Sequence, residues 1–200
     1  MKEYAALIVA MIWLSGHAFY IYQIVRKKIF PTLSTWIIFS TATGLGLANY
    51  LVASNKDIVS GVLIASDAFA SFVVVMMVAL FTYSGLKFKP FEKYYLVGAG
   101  FIVLFWMITG SAFIANLLTQ TLIAVGYLPT IQNLIRAEKN PESLVVWSLD
   151  IIAASISLYP AIVGGNLLAS IYSVRAVIML SFVVLLMIRL SIKNKGRNKK

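Results

Sequence analysis

Three charged side chains stand inside otherwise apolar runs, Asp67, Asp150 and Arg175, and the single histidine, His17, lies in a fourth. An ionisable group in hydrocarbon is costly and faces a partner, a path or a solute. Two carboxylates and a guanidinium can hold the poles of a zwitterion, and a carboxylate or an imidazole can also relay a proton. Other chemistries lack their parts. With no cysteine and one histidine there is no typical zinc ligand set, so no metal is expected. No glycine-rich loop ends in Lys-Ser or Lys-Thr to cradle phosphates, and no cofactor is expected. A retinal pigment needs a lysine in its last helix, where this chain has Arg175 and no lysine. A hydrolytic pair of Asp67 and Asp150 would have to bridge a difference in depth of several ångströms. The expectation is a protein that is not an enzyme.

The elements that carry these groups are apolar and long. Hydrophobic residues make up 60% of the 200 and charged residues 12%, where soluble domains carry roughly a quarter. Mean hydropathy is +0.89. Seven segments are predicted as membrane helices: Tyr4–Ile24, Leu33–Val52, Ile58–Phe81, Leu96–Ala115, Leu117–Ile135, Leu144–Val163 and Leu167–Leu190. Each approaches the ~20 residues needed to cross about 30 Å of hydrocarbon. Their runs are continuous, which suits helices and not alternating barrel strands. The first segment reads as a helix and not a signal peptide, because its strong basic flank, Arg26-Lys27-Lys28, follows it and Phe30-Pro31 is no cleavage site.

Charge placement predicts the orientation. Lys2 and Lys56 fall on the side of the N-terminus, while fourteen basic residues fall opposite: Arg26, Lys27, Lys28, Lys87, Lys89, Lys93, Arg136, Lys139 and the six from Arg189 to Lys200. The N-terminus is therefore expected outside and the C-terminus in the cytoplasm of a multi-pass cell-membrane protein. The net charge of +10 comes largely from that tail, which reads as an anchor on an anionic leaflet and not as a nucleic-acid surface.

A degenerate repeat organises the chain. Gln23, Arg26, Pro31 and Trp36 recur in the same order as Gln132, Arg136, Pro141 and Trp147. The expected fold is an all-α polytopic membrane protein with seven helices as 3+1+3, two parallel three-helix repeats joined by a linker span. Boundaries follow: 1–83 for the first bundle, 84–116 for the linker, 117–192 for the second bundle and 193–200 for the basic tail.

The segment Gly126-Tyr127-Leu128-Pro129-Thr130-Ile131-Gln132-Asn133-Leu134, with Lys139, Glu142-Ser143-Leu144 and Trp147, resembles the PQ-loop motif of the SWEET, cystinosin and KDEL-receptor superfamily. The resemblance covers 126–147 in motif, 19–36 weakly, and the whole chain in layout. It departs where the family has Pro-Gln: here stand Pro129-Thr130 and, in the first repeat, Tyr22-Gln23. The layout is also similar to the bacterial nicotinamide riboside uptake family, without a motif for that vitamin. The resemblance implies alternating access by two rocking bundles, with Pro129, Gln132 and Gln23 at the hinge positions.

Asp67 and Arg175, nine and eight residues into their segments, are expected roughly 12–14 Å below the outer edge at 1.5 Å per residue. Matched depth on repeat-equivalent helices predicts one shared cavity, with a contact that is direct or bridged by water or solute. His17 reads as a proton relay or a satisfied core residue. Asp150, one to two turns from its helix start, reads as a solute contact or as a carboxylate favoured by the helix dipole and reached by water. Asn49, Tyr50, Tyr159 and Pro160 are candidates for an outer vestibule. Tyr94, Tyr95 and Trp36 read as an interfacial belt. The functional expectation is transport of a small polar or zwitterionic solute (sugar, amino acid or vitamin-like), with proton coupling left open. The alternative is a receptor or sorting protein that binds a small ligand or peptide without carrying it. Expected partners are the solute and the bilayer; a homo-oligomer is compatible, and no nucleic acid is expected.

Overall fold

The computed structural model describes residues 1–29, 31, 33–81, 90–137 and 143–197, with the side chains of Ser34, Thr35, Glu92, Pro129, Asn133 and 193–197 outside that description. Phe30, Lys87, Lys89, Lys139, Pro141, Glu142, Lys199 and Lys200 therefore lie outside the described residues.

All regular structure among the described residues is helical: α1 Lys2–Val25, α2 Leu33–Ala53, α3 Val62–Phe81, α4 Pro90–Thr109, α5 Ala112–Gly126, α6 Leu128–Arg136, α7 Leu144–Val163 and α8 Leu167–Arg197. Six helical stretches are long and apolar enough to cross a membrane, with α5 and α6 counted as one stretch, and a shorter apolar one spans Lys93–Thr109. Large exposed apolar side chains such as Leu80, Val97, Ile108 and Leu185 stud their outward faces. A water-soluble protein of this size would not display so much contiguous apolar surface.

Local chemistry ends each helix. Gly110, at φ +65°, stops α4, and the Ser111 hydroxyl accepts from the Ile114 N–H to cap α5. The expected fourth span, Leu96–Ala115, runs across this break, because its apolar flanks hide a glycine that only backbone geometry exposes. The expected fifth span is divided at Tyr127, just before Pro129, whose missing N–H interrupts the helical ladder. In contrast, α1 runs unbroken through Gln23. Gly165, at φ +62°, ends the α7–α8 turn, and Asn166 caps α8 by accepting from the Ala169 N–H at 3.1 Å. The third helix begins at Val62, one turn later than the apolar run at Ile58, because Asn55 and Lys56 adopt left-handed backbone and the following residues form turns.

Packing has a clear order. Helix α3 lies against both α1 and α2; α8 lies against α7, α5 and α6. Across the middle, α1 packs on α7 and α2 on α5, while α4 covers α5 and α2 from outside. Small residues set two of these approaches: a Cβ on Gly46 would sit 3.6 Å from Thr119, and one on Gly98 would sit 3.3 Å from Leu122. Gly44 and Gly100 face open space, so only part of each small-residue cluster serves packing. Hydroxyl pairs clasp neighbouring helices, Thr43 with Ser71 between α2 and α3, and Ser157 with Ser173 between α7 and α8, both at 2.8 Å. In an apolar setting such bonds hold because no water competes. Tyr94 is 76% exposed, whereas Tyr95, the other tyrosine of the expected belt, is buried. Its ring lies over Gly126, whose missing side chain leaves the room.

Candidate functional site

The mid-helix polar groups form one connected chain. The Asn116 amide donates to the Gly46 carbonyl oxygen at 3.0 Å, and the Gln120 amide donates to Asn116 Oδ1 at 3.2 Å. Arg175 Nε donates to Gln120 Oε1 at 3.0 Å, and its guanidinium lies 4.5 Å over the Tyr172 ring. The Tyr172 hydroxyl donates to Asp67 Oδ2. This string runs from α2 through α5 and α8 to α3. Beside it, the Asn49 amide donates to the Thr119 hydroxyl at 3.2 Å.

Asp67 and Arg175 thus belong to one cluster but form no salt bridge; Tyr172 stands between them. Helix register explains the arrangement. Asp67 is the sixth residue of α3 and Tyr172 the sixth of α8, so the tyrosine is level with the carboxylate. Arg175 lies about one turn deeper, at 1.5 Å per residue. Counting from Ile58 makes Asp67 look one turn deeper than it is.

Asp150 is buried at 7% exposure, and its Oδ1 has no hydrogen-bond partner among the described residues. Its Oδ1 faces the seam where α1 packs against α7 at Gly16. A Cβ on Gly16 would sit 3.6 Å from that oxygen. The other unpartnered buried atoms inside the helices are Arg175 Nη1, Trp13 Nε1 and Asn49 Oδ1. His17 is also buried; its Nδ1 lies 3.0 Å from the Trp13 carbonyl oxygen, and its ring stacks on Trp13 at 5.3 Å. These contacts satisfy a core histidine, and no hydrogen bond joins it to either aspartate.

A run of aromatic rings links α2 to α7 through Tyr127. Trp36 meets Phe39 at 6.0 Å, Phe39 meets Tyr127 edge-on at 6.1 Å, and Tyr127 meets Trp147 at 6.2 Å. Trp36 and Trp147 are each the fourth residue of their helices, α2 and α7. Of the hinge positions, Gln132 is exposed and Gln23 half-buried, and the Pro129 side chain lies outside the described residues.

A second polar cluster ties the end where α2 stops and α3 begins. The Tyr50 hydroxyl donates to the Asp57 carbonyl oxygen at 2.7 Å and accepts from the Asn166 amide at 2.9 Å. Lys2 lies 3.5 Å from Asp57 Oδ2, and the Ser60 N–H donates to Oδ1 at 3.1 Å. Burial pushes the Asp57 carboxyl up, but the Ser60, Lys2 and Asn166 contacts outweigh it and hold the group below the usual carboxylate range. The cluster joins α1, the α2–α3 connection and the α7–α8 turn. A cleft of about 300 Å³ opens beside it, lined by Ser54, Asp57, Phe113, Gly165 and Asn166 among others. Tyr50 and Asn49 are wholly buried and Tyr159 is 40% exposed, so the vestibule candidates separate.

Sequence reasoning missed Tyr172, Gln120, Asn116, Gly16 and Asp57. Asn116 and Gln120 carried a usable signal, two amides at i, i+4 spacing inside an apolar run. Tyr172 lay one turn from Arg175. Gly16 carried none, since its role depends on what packs opposite.

Comparison with family models, curated proteins and solved structures finds no match to this chain.

Proposed function

We propose that this chain is a multi-pass membrane transporter for a small polar or zwitterionic solute, working by alternating access between two three-helix bundles. The observation that carries the reading is the mid-helix chain from Gly46 to Asp67, which spans both halves and leaves Arg175 Nη1 and Asp150 Oδ1 unpartnered. Buried polar groups are normally satisfied, and a functional site is one reason for exceptions. The bundles are α1–α3 and α5–α8, with α4 as the linker span; the packing order supports two parallel repeats. In each, the last helix lies against both others, and α1 on α7 mirrors α5 on α2. The matched register of Trp36 and Trp147 favours the same pairing. The PQ-loop-like layout, an external N-terminus and a cytoplasmic C-terminus complete the proposal. The α2–α3 end is then external, and the Asp57 cluster is its closed gate.

The test is uptake into liposomes. Purified protein is reconstituted, incubated with a mixture of amino acids, sugars and vitamins, and the lumen analysed by mass spectrometry. Enrichment of one solute over empty liposomes, lost in Arg175→Gln, is the expected result. No enrichment of any small polar solute would remove the transport reading.

A second reading has one observation behind it. A cleft of about 300 Å³ lies beside Asp57 and Asn166 at the α2–α3 end, which suits a receptor that binds a ligand without carrying it. A solute retained by the protein but never found in the lumen would favour that alternative.

A further inference from the structure

We propose that Asp150 recognises the positively charged end of a small organic cation or zwitterion, which reaches it when the α1–α7 seam parts at Gly16. This deepens the transport-site reading above and rests on it.

The two carboxylates differ in what they already hold. Asp67 accepts a hydrogen bond from Tyr172, so its demand is met within the protein. Asp150 is more deeply buried, and its Oδ1 has no donor among the described residues. A buried carboxylate oxygen without a donor carries the full desolvation penalty, so the fold gains whenever a donor or cation arrives there.

Asp150 has no positive partner among the described residues. Arg175, on the adjoining α8, gives its Nε to Gln120 and its face to Tyr172. His17, on α1, lies against Trp13 and its carbonyl oxygen. The charged group felt most at Asp150 is Asp67, a second acid. A cation arriving beside the unpartnered oxygen favours the ionised carboxyl, and an anion does not. The surroundings also suit an organic cation better than a bare ion. Trp13 and His17 stack on the helix that carries Gly16, and Trp147 precedes Asp150 by one turn on α7 and meets the Tyr127 ring. Aromatic faces attract ammonium and guanidinium groups.

Gly16 completes the geometry. A Cβ there would sit 3.6 Å from Asp150 Oδ1, ordinary contact that fits without moving backbone and would still cover the oxygen when the seam parts. Alanine is therefore a plug that the fold tolerates.

The experiment measures thermal shifts of detergent-purified full-length protein in a potassium buffer, with two matched pairs at millimolar concentration. These are choline against neohexanol, its uncharged isostere, and arginine against citrulline. At least one cation is expected to raise the unfolding midpoint while its neutral partner does not. The shift should vanish in Gly16→Ala and in Asp150→Asn. Equal shifts from charged and neutral partners, no shift from either cation, a shift from sodium chloride alone, or a shift that survives both substitutions would each overturn the proposal. The gene product's uptake activity separates the two levels. A cation shift that depends on Asp150 without flux into liposomes would sink transport and leave this site standing. Flux that persists unchanged in Asp150→Asn would do the reverse.

Discussion

At the α2–α3 end, Asp57 is gripped by Lys2 from α1, by the Ser60 N–H in its own turn and by Asn166 from the α7–α8 turn. Deeper in the bundle, Asp150 sits in the α1–α7 seam with a bare oxygen. Both regions place an acid between the same halves of the molecule. The first uses its acid to fasten them, since paired polar groups fix a geometry. The second leaves its acid with an oxygen that has no donor among the described residues. In the proposed function the contrast separates a gate from a binding point, and substitutions at the two levels should therefore fail in different ways.

The largest effect should come from Gly61→Ala. Its Cβ would lie 2.2 Å from the Tyr50 ring, which is wholly buried and hydrogen-bonded at its tip, so the ring must be displaced. Overpacking of this kind costs about 3 kcal/mol, read as a lower unfolding midpoint in detergent. Unchanged stability would mean that the Tyr50–Asp57–Asn166 cluster does not fasten that end. At the deeper level, Tyr172→Phe removes the donor to Asp67 and should cost about 2 kcal/mol, the scale for a hydrogen bond to a charged group. Restoring stability by adding Asp67→Asn would show that the cost lay in the orphaned carboxylate. Asn166→Ala loses the α8 cap along with the contacts to Tyr50 and Asp57, for about 1 kcal/mol from the cap.

The smallest effect is a pH dependence at the gate. The Asp57 carboxyl titrates below its unfolded value, so its contribution is complete above about 3.9 and fades as pH falls through the lower folded value. The wild type should lose stability on acidification in that range more steeply than Asp57→Asn. Parallel acid profiles for the two proteins would show that the carboxylate adds nothing to the latch.

Much of this architecture is legible in the residues. Apolar runs mark the helices, and their ends are visible wherever a basic cluster or an asparagine interrupts them. Hydropathy fails where a break is itself apolar in its surroundings, as at Gly110 and at Tyr127 before Pro129, because a window average cannot register one left-handed glycine or one missing N–H. The same limit shifts the start of α3 by one turn, which hides the level pairing of Asp67 with Tyr172. Among site residues, ionisable groups announce themselves by their cost in hydrocarbon. Gly16 does not, since a glycine in a helix carries no sign of the carboxylate packed opposite.

Alternating access requires a buried site reached in turn from either side of the membrane, and the absence of cysteine from the chain makes that directly measurable. A single Gly16→Cys change places a thiol in the α1–α7 seam beside Asp150. A membrane-impermeant thiol reagent is then applied from each side of oriented vesicles. With the Asp57 cluster intact, labelling is expected from the side of the α1 C-terminus. In combination with Asp57→Ala and Asn166→Ala it should also occur from the opposite side. Labelling confined to one side in every variant would contradict alternating access and leave a protein that binds without carrying.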